Sequence, residues 1–577
     1  MLLKDGVAVS TYERKSPLKL HNQFLKLHSH YSGVSDVSAT LDELGLILGC
    51  THRNALHIIN KMVLQQWIRW TPSRGRGRRS RLEFLVPSEE IALQSMMKAI
   101  SRKDVLSSID GIRTHARSSS LQDTLQGWLL TYFGHHSEIH SDKQYDTLRL
   151  PITQQLHTFD PLYMNLLAES FVSSHVFDGL VRRSGETGAI LPGLAHAWET
   201  DSSRTVWTFY LRKEVLFHHG KVLTAGDVVY SLKRLMLTEQ RTLYSYIFKE
   251  IQEVQELGPS TVRVILTKQS ELFLPFLCTS RAAIVPRELE SIGESAFGRR
   301  PVGTGPFKVV EMNQDTCVLE VFPYYFQGRA HLDRVEIMYV PLDSGSAASE
   351  AGSAFHVIHN ASSGEESGWS RIHSESFVRK FVTCNTKKKG PLSDPFLRAE
   401  ILSSLQDETV RITPERTPAA QAQVHLQIAT IPQYAGDAAD LADKLQRQGY
   451  GCTVVSVSPE EFKGPIRLAS DLIVFSLLRD QDEQLRLFDL YLTLSQHLDP
   501  HTRVDIEAWL QQISREPDPA ARAADFKRIE DRLTHAHLLH ILYEKPTRTA
   551  YLPSVRGVTF NSQGWVDLRH VWFPPQL

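Results

Sequence analysis

The sequence is poor in the groups that build covalent or metal-held scaffolds. Its five cysteines, Cys50, Cys278, Cys317, Cys384 and Cys452, are scattered along 577 residues, and no Cys-x-x-Cys pair occurs. That argues against a disulfide framework or a thiolate zinc site and leaves each as a small buried hydrophobe. No stretch reaches the roughly 18 apolar residues that a membrane-spanning helix needs. Residues 1–15 hold neither the apolar core of a signal peptide nor a cysteine for lipid attachment. The expectation is a cytoplasmic chain with no membrane partner. Catalytic motifs are equally scarce: there is no His-Glu-x-x-His and no Gly-x-Ser-x-Gly. Gly303-Thr304-Gly305-Pro306 lacks the Gly-Lys-Ser/Thr ending of a phosphate loop, and Pro306 removes a donor. The 25 histidines include the neighbours His135-His136 and His218-His219, but neighbours in a strand face opposite ways. No enzyme, metal or cofactor is expected.

Charge is abundant and unevenly spread. The net charge is −1, yet residues 1–120 carry 18 Lys and Arg against 10 Asp and Glu, a net of +8, which leaves −9 on the remainder. A basic head on an acidic body suggests that only the head meets a polyanion. The length calls for at least two domains. Hydrophobic and charged contents of 42% and 22% are those of a globular protein.

The head begins with a weak helix over 18–29. Thr40-Leu-Asp-Glu43 is a capping box opening a short helix with Leu41, Leu44, Ile47 and Leu48 inward. A break at Gly49 precedes a second helix over 52–65. Its pattern predicts Leu56, Ile59, Met62 and Val63 inside and His52, Arg53, Asn54, His57, Asn60 and Lys61 outside. This pair fits a helix-turn-helix or an ordinary helical hairpin. The next residues favour the former. A strand at 67–70 and a return strand at 80–85 flank a turn bearing Arg74, Arg76, Arg78 and Arg79, with Arg81 beyond it. A β-hairpin with an arginine-rich tip, directly after a recognition-type helix, describes a winged helix-turn-helix. Those arginines suit phosphate contacts or insertion into a narrow minor groove of double-stranded DNA.

The body is organised around residues 191–234. Trp207, Phe209 and Leu211 alternate with polar neighbours as in a half-buried strand, and Thr224 caps a helix with Asp227 three residues on. The residues Leu194-Ala195…Trp198, Phe209…Leu211-Arg212…Val215…Phe217-His218…Gly220 and Thr224-Ala225…Asp227-Val228…Ser231…Arg234 resemble the signature of family 5 extracellular solute-binding proteins. The stretch 301–307 and the Tyr324…Gly328…Leu332-Asp333 motif carry the same resemblance. With the winged head and the Gly-Arg-Gly-Arg-Arg-Ser-Arg wing, nearly the whole chain resembles the SgrR family of bacterial transcriptional regulators.

The resemblance implies a multidomain chain: an α+β winged helix-turn-helix head over 18–86, connecting helices over 87–134, a linker over 135–146, and a two-lobed α/β periplasmic-binding-protein-like (type II) body over 147–577. It implies a ligand cleft between the lobes, with Phe159, Asp160, Tyr163, Asn385 and Phe475 as candidates. Peptide-binding members place a carboxylate in a Gly-Trp segment where this chain has Arg479, which speaks for an anionic or hydroxylated solute such as a sugar phosphate over a peptide. The expected function is ligand-responsive transcription regulation, with a homodimer as one arrangement. The alternative is a solute-binding component of a peptide or nickel transporter with a head that does not bind DNA. A third reading keeps DNA binding but not the cleft's function.

Overall fold

The computed structural model describes residues 16–31, 35–73, 79–101, 133–140, 143–152, 155–164, 166–238, 242–313, 315–339, 357–359, 370–405, 424–462, 464–479, 483–551, 555–561 and 565–574. The head runs α1 (Ser16–His30), β1 (Asp36–Ala39), α2 (Leu41–Leu48), α3 (His52–Leu64), β2 (Ile68–Thr71), β3 (Ser80–Phe84) and α4 (Ser88–Ser101). The capping box forms: Glu43 N donates to Thr40 Oγ1 (3.2 Å) and Thr40 N to Glu43 Oε2 (3.0 Å). Gly49, at φ 65°, ends α2 in the left-handed conformation that a side chain disfavours. The strands pair antiparallel in the order β1-β3-β2, with Leu82 between Val37 and Trp70. Phe24, Leu44, Ile59, Met62, Ile68 and Leu82 fill the core beneath them. Burial of each is worth about 1.5–3 kcal/mol, which outweighs the weak intrinsic stability of two short helices.

One expected detail is corrected. The inward residues of α3 are Ala55, Ile58, Ile59 and Met62, whereas Leu56 and Val63 are 37% and 38% exposed. The cause is a small-on-small contact. A Cβ on Gly45 of α2 would lie 3.8 Å from Ala55 Cβ and only 2.9 Å from Cys50 O, so the two helices meet at their smallest residues. That close approach turns Ala55 inward and Leu56 out.

The body has two lobes. In the first, β4 (Gly134–His140) and β5 (Lys143–Ile152) form a hairpin, so residues 135–146 are not the linker that their composition indicates. An edge strand that is polar resembles a linker in sequence. Here the His135 ring stacks on Phe573 at 3.9 Å, and its Nε2 lies 2.9 Å from Asp146 Oδ1. After α5 (Leu167–Val176) come the short β6 (Val181–Arg183) and β7 (Ile190–Pro192). The signature stretch then forms β8 (Ala195–Thr200), β9 (Val206–Leu211) and α6 (Ala225–Leu237). Trp207, Phe209 and Leu211 are buried, and Thr224 and Asp227 complete the second capping box. With β10 (Ile251–Gly258) and β11 (Thr261–Leu266), these strands make an antiparallel sheet ordered β10-β11-β9-β8. A five-stranded sheet follows, β12-β13-β14-β5-β4, from β12 (Phe307–Met312), β13 (Thr316–Val321) and β14 (Arg334–Tyr339), with β14 and β5 parallel. Gly303 and Gly305 have a packing role. A Cβ on Gly303 would sit 2.0 Å from Val176 O, and Gly305 N donates to that same carbonyl (2.9 Å).

The second lobe is a six-stranded sheet ordered β15-β20-β16-β19-β17-β18: β15 (Val357–His359), β16 (Ser370–Cys384), β17 (His425–Thr430), β18 (Gly451–Ser456), β19 (Leu472–Arg479) and β20 (Leu539–Tyr551). Helices Glu483–Ser495, Pro500–Arg515 and Pro519–His535 precede β20. Beyond β20 the chain returns to the first lobe, where Val555, Val566, Leu568 and Val571 join its core. This is the two-lobed α/β architecture that the resemblance implies.

Candidate functional site

On the head, α3 buries one face and turns the other outward. His52, Arg53, Asn54, His57, Asn60 and Lys61 are all exposed. Placing them at a groove would set two imidazoles, two amides and two cations against base edges and phosphates. The wing root is tied down from both sides. Arg79 donates to Glu43 Oε1 (2.5 Å) and Arg81 to Asp36 Oδ1 (3.0 Å), while His52 Nδ1 lies 2.8 Å from Asp42 Oδ1. The hydrogen bond from Arg79 holds the Glu43 carboxyl below its ordinary range. Sequence reasoning missed these acids because they belong to α2 and β1, far from the wing in the chain. Arg74, Arg76 and Arg78 lie outside the described residues.

In the body, the 158–164 turn is clamped. Arg234 donates to both carboxylate oxygens of Asp160 (2.7 and 2.6 Å) and to Glu294 Oε1 (2.9 Å). Buried Arg281 donates to the carbonyls of Pro161 (2.7 Å), Leu162 and Met164 (2.5 Å each). Tyr163 rides on this base: its hydroxyl donates to Glu294 Oε2 (2.8 Å), and the Arg234 guanidinium lies over its ring at 5.6 Å. Burial and that hydrogen bond push the Tyr163 phenol up to about 12.

The candidate cleft residues are not brought together as one open site. Phe159 is fully buried in the first-lobe core, and Asp160, also 0% exposed, is committed to Arg234. Asn385 is buried and donates to the carbonyls of Leu468 (2.7 Å) and Ser470 (2.8 Å). Phe475 packs into an aromatic cluster with Phe381, Phe462 and His497. Phe159, Asp160 and Asn385 are therefore corrected to packing roles, while Phe475 stays partly buried. Aromatic and polar residues that line a cleft and those that fill a core share one sequence pattern. Tyr163 keeps a half-exposed position. Arg479 ends β19 opposite Phe377 in register, and its side chain lies outside the described residues.

The two lobes also touch directly. Tyr246 stacks on Phe488 with centroids 4.0 Å apart, and its hydroxyl donates to Leu485 O (3.2 Å). Nearby, Tyr244 N donates to Asp489 Oδ1 (3.3 Å) and Glu271 N to Ser514 O (2.7 Å). One continuous apolar core runs from the four-stranded sheet into the helices over 483–535.

A cavity of about 370 Å³ opens within the first lobe. The end of α5, β6, the turn after it and the C-terminal return segment line it. Asp178 at its wall accepts from Thr304 Oγ1 (2.9 Å) and the Tyr325 hydroxyl (3.0 Å), and burial raises its pKa. Arg569 Nε donates to both oxygens of Asp567 (2.8 Å each). Burial would raise the Asp567 carboxyl, but Arg569 outweighs it and holds it at about 2.

Comparison with known proteins follows the same division. Residues 19–132 match the family described as sugar transport-related sRNA regulator N-terminal, and residues 189–401 match the middle region of bacterial extracellular solute-binding proteins, family 5. The HTH-type transcriptional regulator SgrR of Pectobacterium atrosepticum is 27% identical, the match covering 96% of this chain and 99% of that protein. YhjP of Bacillus subtilis is also 27% identical, over 92% and 95% of the two chains. Among solved structures, Helicobacter pylori DppA in complex with the peptide STSA aligns with a TM-score of 0.60 at 18% identity, covering 74% of this chain and 98% of that one. AgaA of Agrobacterium tumefaciens R10, in complex with agropinic acid, gives 0.61 at 18%, covering 75% and 99%. At these identities the two structures establish the fold of the body.

Proposed function

We infer from its similarity to SgrR regulators along nearly its whole length that this chain is a DNA-binding transcriptional regulator that senses a small solute through a body of the binding-protein fold. The observation that carries this reading is the exposed polar and cationic row on α3, in a winged head joined to that body. His52, Arg53, Asn54, His57, Asn60 and Lys61 read the major groove of an operator. Arg74, Arg76, Arg78, Arg79 and Arg81 grip its backbone or minor groove. The protein acts in the cytoplasm, where its DNA is, on transport or metabolic genes and its own promoter, and carries out no catalytic step. A solute bound by the body changes the orientation of the head or the geometry of a head pair, a coupling of about 1–3 kcal/mol. The stretch over 87–134 would provide that connection; of it, residues 102–132 lie outside the described residues.

The test is binding of the full-length protein to its own upstream DNA at two salt concentrations, beside an Arg76→Ala/Arg78→Ala variant. Tight, salt-sensitive binding that the variant loses supports the reading, and no preference over random DNA at low salt ends it. A second reading, a DNA-binding protein whose interlobe cleft takes no ligand, is favoured by the stack of Tyr246 on Phe488. Titration of solutes with a melting-temperature readout separates the two.

A further inference from the structure

The first turn of α2 stands between the two parts of the head that reach for DNA. On one side, Asp42 Oδ1 lies 2.8 Å from Nδ1 of His52, the first residue of α3. On the other, Glu43 Oε1 accepts from Arg79 at the wing root (2.5 Å). His52, Asp42, Glu43 and Arg79 thus link the recognition helix to the wing. All four side chains reach solvent, from 38% exposed at Glu43 to 81% at Asp42. DNA that meets both α3 and the wing must lay its phosphates beside these two carboxylates.

Neither fold stability nor charge accounts for two acids at this place. Exposed ion pairs stabilise a fold little, and a carboxylate beside a phosphate weakens DNA binding. Helix capping accounts for one oxygen only. Glu43 Oε2 accepts from Thr40 N (3.0 Å) and closes the box, which leaves Oε1 for Arg79. Asp42 takes no part in that box. The helix dipole favours acids in a first turn, but it does not choose their partners. What the two pairs do achieve is orientation. An arginine freezes many rotamers when it binds a phosphate, and one already held loses fewer. Arg79 engages Glu43 through one nitrogen, and its fork carries further N–H donors for a phosphate. An ionised carboxylate only accepts, so the His52 proton sits on Nδ1 and Nε2 is the ring's other polar atom.

We propose that Asp42 and Glu43 are positioning residues for DNA recognition: from the first turn of α2 they hold His52 and Arg79 in the arrangement in which the operator meets them. The proposal rests on the DNA-binding half of the function above. A parent protein with no preference for its own upstream DNA ends that reading, and the proposal with it. A parent that shows the preference, beside variants that keep it, ends the proposal alone.

The full-length protein and its variants are titrated with a duplex of the upstream DNA and with a random duplex of equal length, across a salt series. Glu43→Gln is the informative change. Its single side-chain oxygen keeps the capping box, which leaves an amide donor facing Arg79. Loss of an acid should by itself tighten DNA binding, so positioning predicts the opposite sign on the operator. The expected result is a loss of about tenfold on the upstream duplex, with binding to the random duplex unchanged or tighter. In an Arg79→Ala background the same change should have no further effect. Glu83→Gln removes an acid that pairs with Arg69 across the hairpin, and as a control it should keep the parent's preference. Three results overturn the proposal: upstream affinity in Glu43→Gln equal to or above the parent's, an equal loss on both duplexes, or a loss that persists in the Arg79→Ala background. Asp42→Ala, outside the capping box, decides the matter should Glu43→Gln not fold. A loss confined to the upstream duplex upholds the proposal, and an unchanged preference overturns it.

Discussion

Tyr246 of the first lobe lies nearly parallel to Phe488 of the second, the ring planes 14° apart and the centroids 4.0 Å apart. Phe488 is 7% exposed and belongs to the core shared by the two lobes. Phe488→Ala is expected to cost about 3–5 kcal/mol in urea unfolding and to increase the radius of gyration in solution scattering. Tyr246→Phe, which loses only the hydrogen bond to Leu485 O, should cost about 1 kcal/mol and leave the scattering unchanged.

The bidentate pair of Arg234 and Asp160 is buried, with side chains 11% and 1% exposed. Arg234→Leu strands a carboxylate in the interior and should destabilise the body by about 3–5 kcal/mol. Adding Asp160→Asn removes the stranded charge, so the double variant should unfold at higher urea than Arg234→Leu alone. Glu294, whose side chain is half exposed at 51%, contributes far less, and Glu294→Gln should shift the midpoint little.

Among the described residues, burial is the leading cause that holds His497, His218 and His175 neutral. It lowers His497 to about 3 and His218 to about 4, and His175 moves in the same direction. The unfolded groups protonate near 6.5 and the folded ones do not. Stability is therefore full above pH 6.5 and is lost as pH falls toward the folded values. For His497, 0% exposed, the loss between pH 7 and pH 5 is about 2 kcal/mol. Urea midpoints measured at those two pH values should fall accordingly, and His497→Gln should flatten the dependence.

On α3, Asn60 and Lys61 are adjacent but should behave differently. Lys61→Ala should weaken operator and random DNA alike and reduce the salt slope by about 1. Asn60→Ala should cost about 1–3 kcal/mol on the operator and relax the preference at one base pair. Binding isotherms across a salt series distinguish the two outcomes.

Much of this architecture was legible in the sequence because local chemistry fixes it. The Thr40–Glu43 and Thr224–Asp227 boxes mark helix starts within four residues, and the alternation at Trp207, Phe209 and Leu211 marks the buried face of β9. What sequence could not show depends on partners far away in the chain. Arg281 is a lone basic residue until it meets three carbonyls about 120 residues earlier, at Pro161, Leu162 and Met164. Arg79 looks free until Glu43 is folded beside it. The strand at 134–140 is polar because it forms a sheet edge, and only Phe573, at the far end of the chain, explains the packing of His135. Phe159 and Asn385 carry the right chemistry for a cleft, yet their neighbours make them interior.

The return of residues 555–561 and 565–573 to the first lobe bears on the order of synthesis. The head encloses its own core within residues 16–101, so a finished DNA reader can leave the ribosome early. The first lobe cannot seal its core until Val566, Leu568 and Val571 have been made, hundreds of residues later. A ribosome that stalls or stops before them releases a reader without a working sensor. Such a product would carry a folded head beside a first lobe left open, a target for cellular proteolysis of incomplete chains.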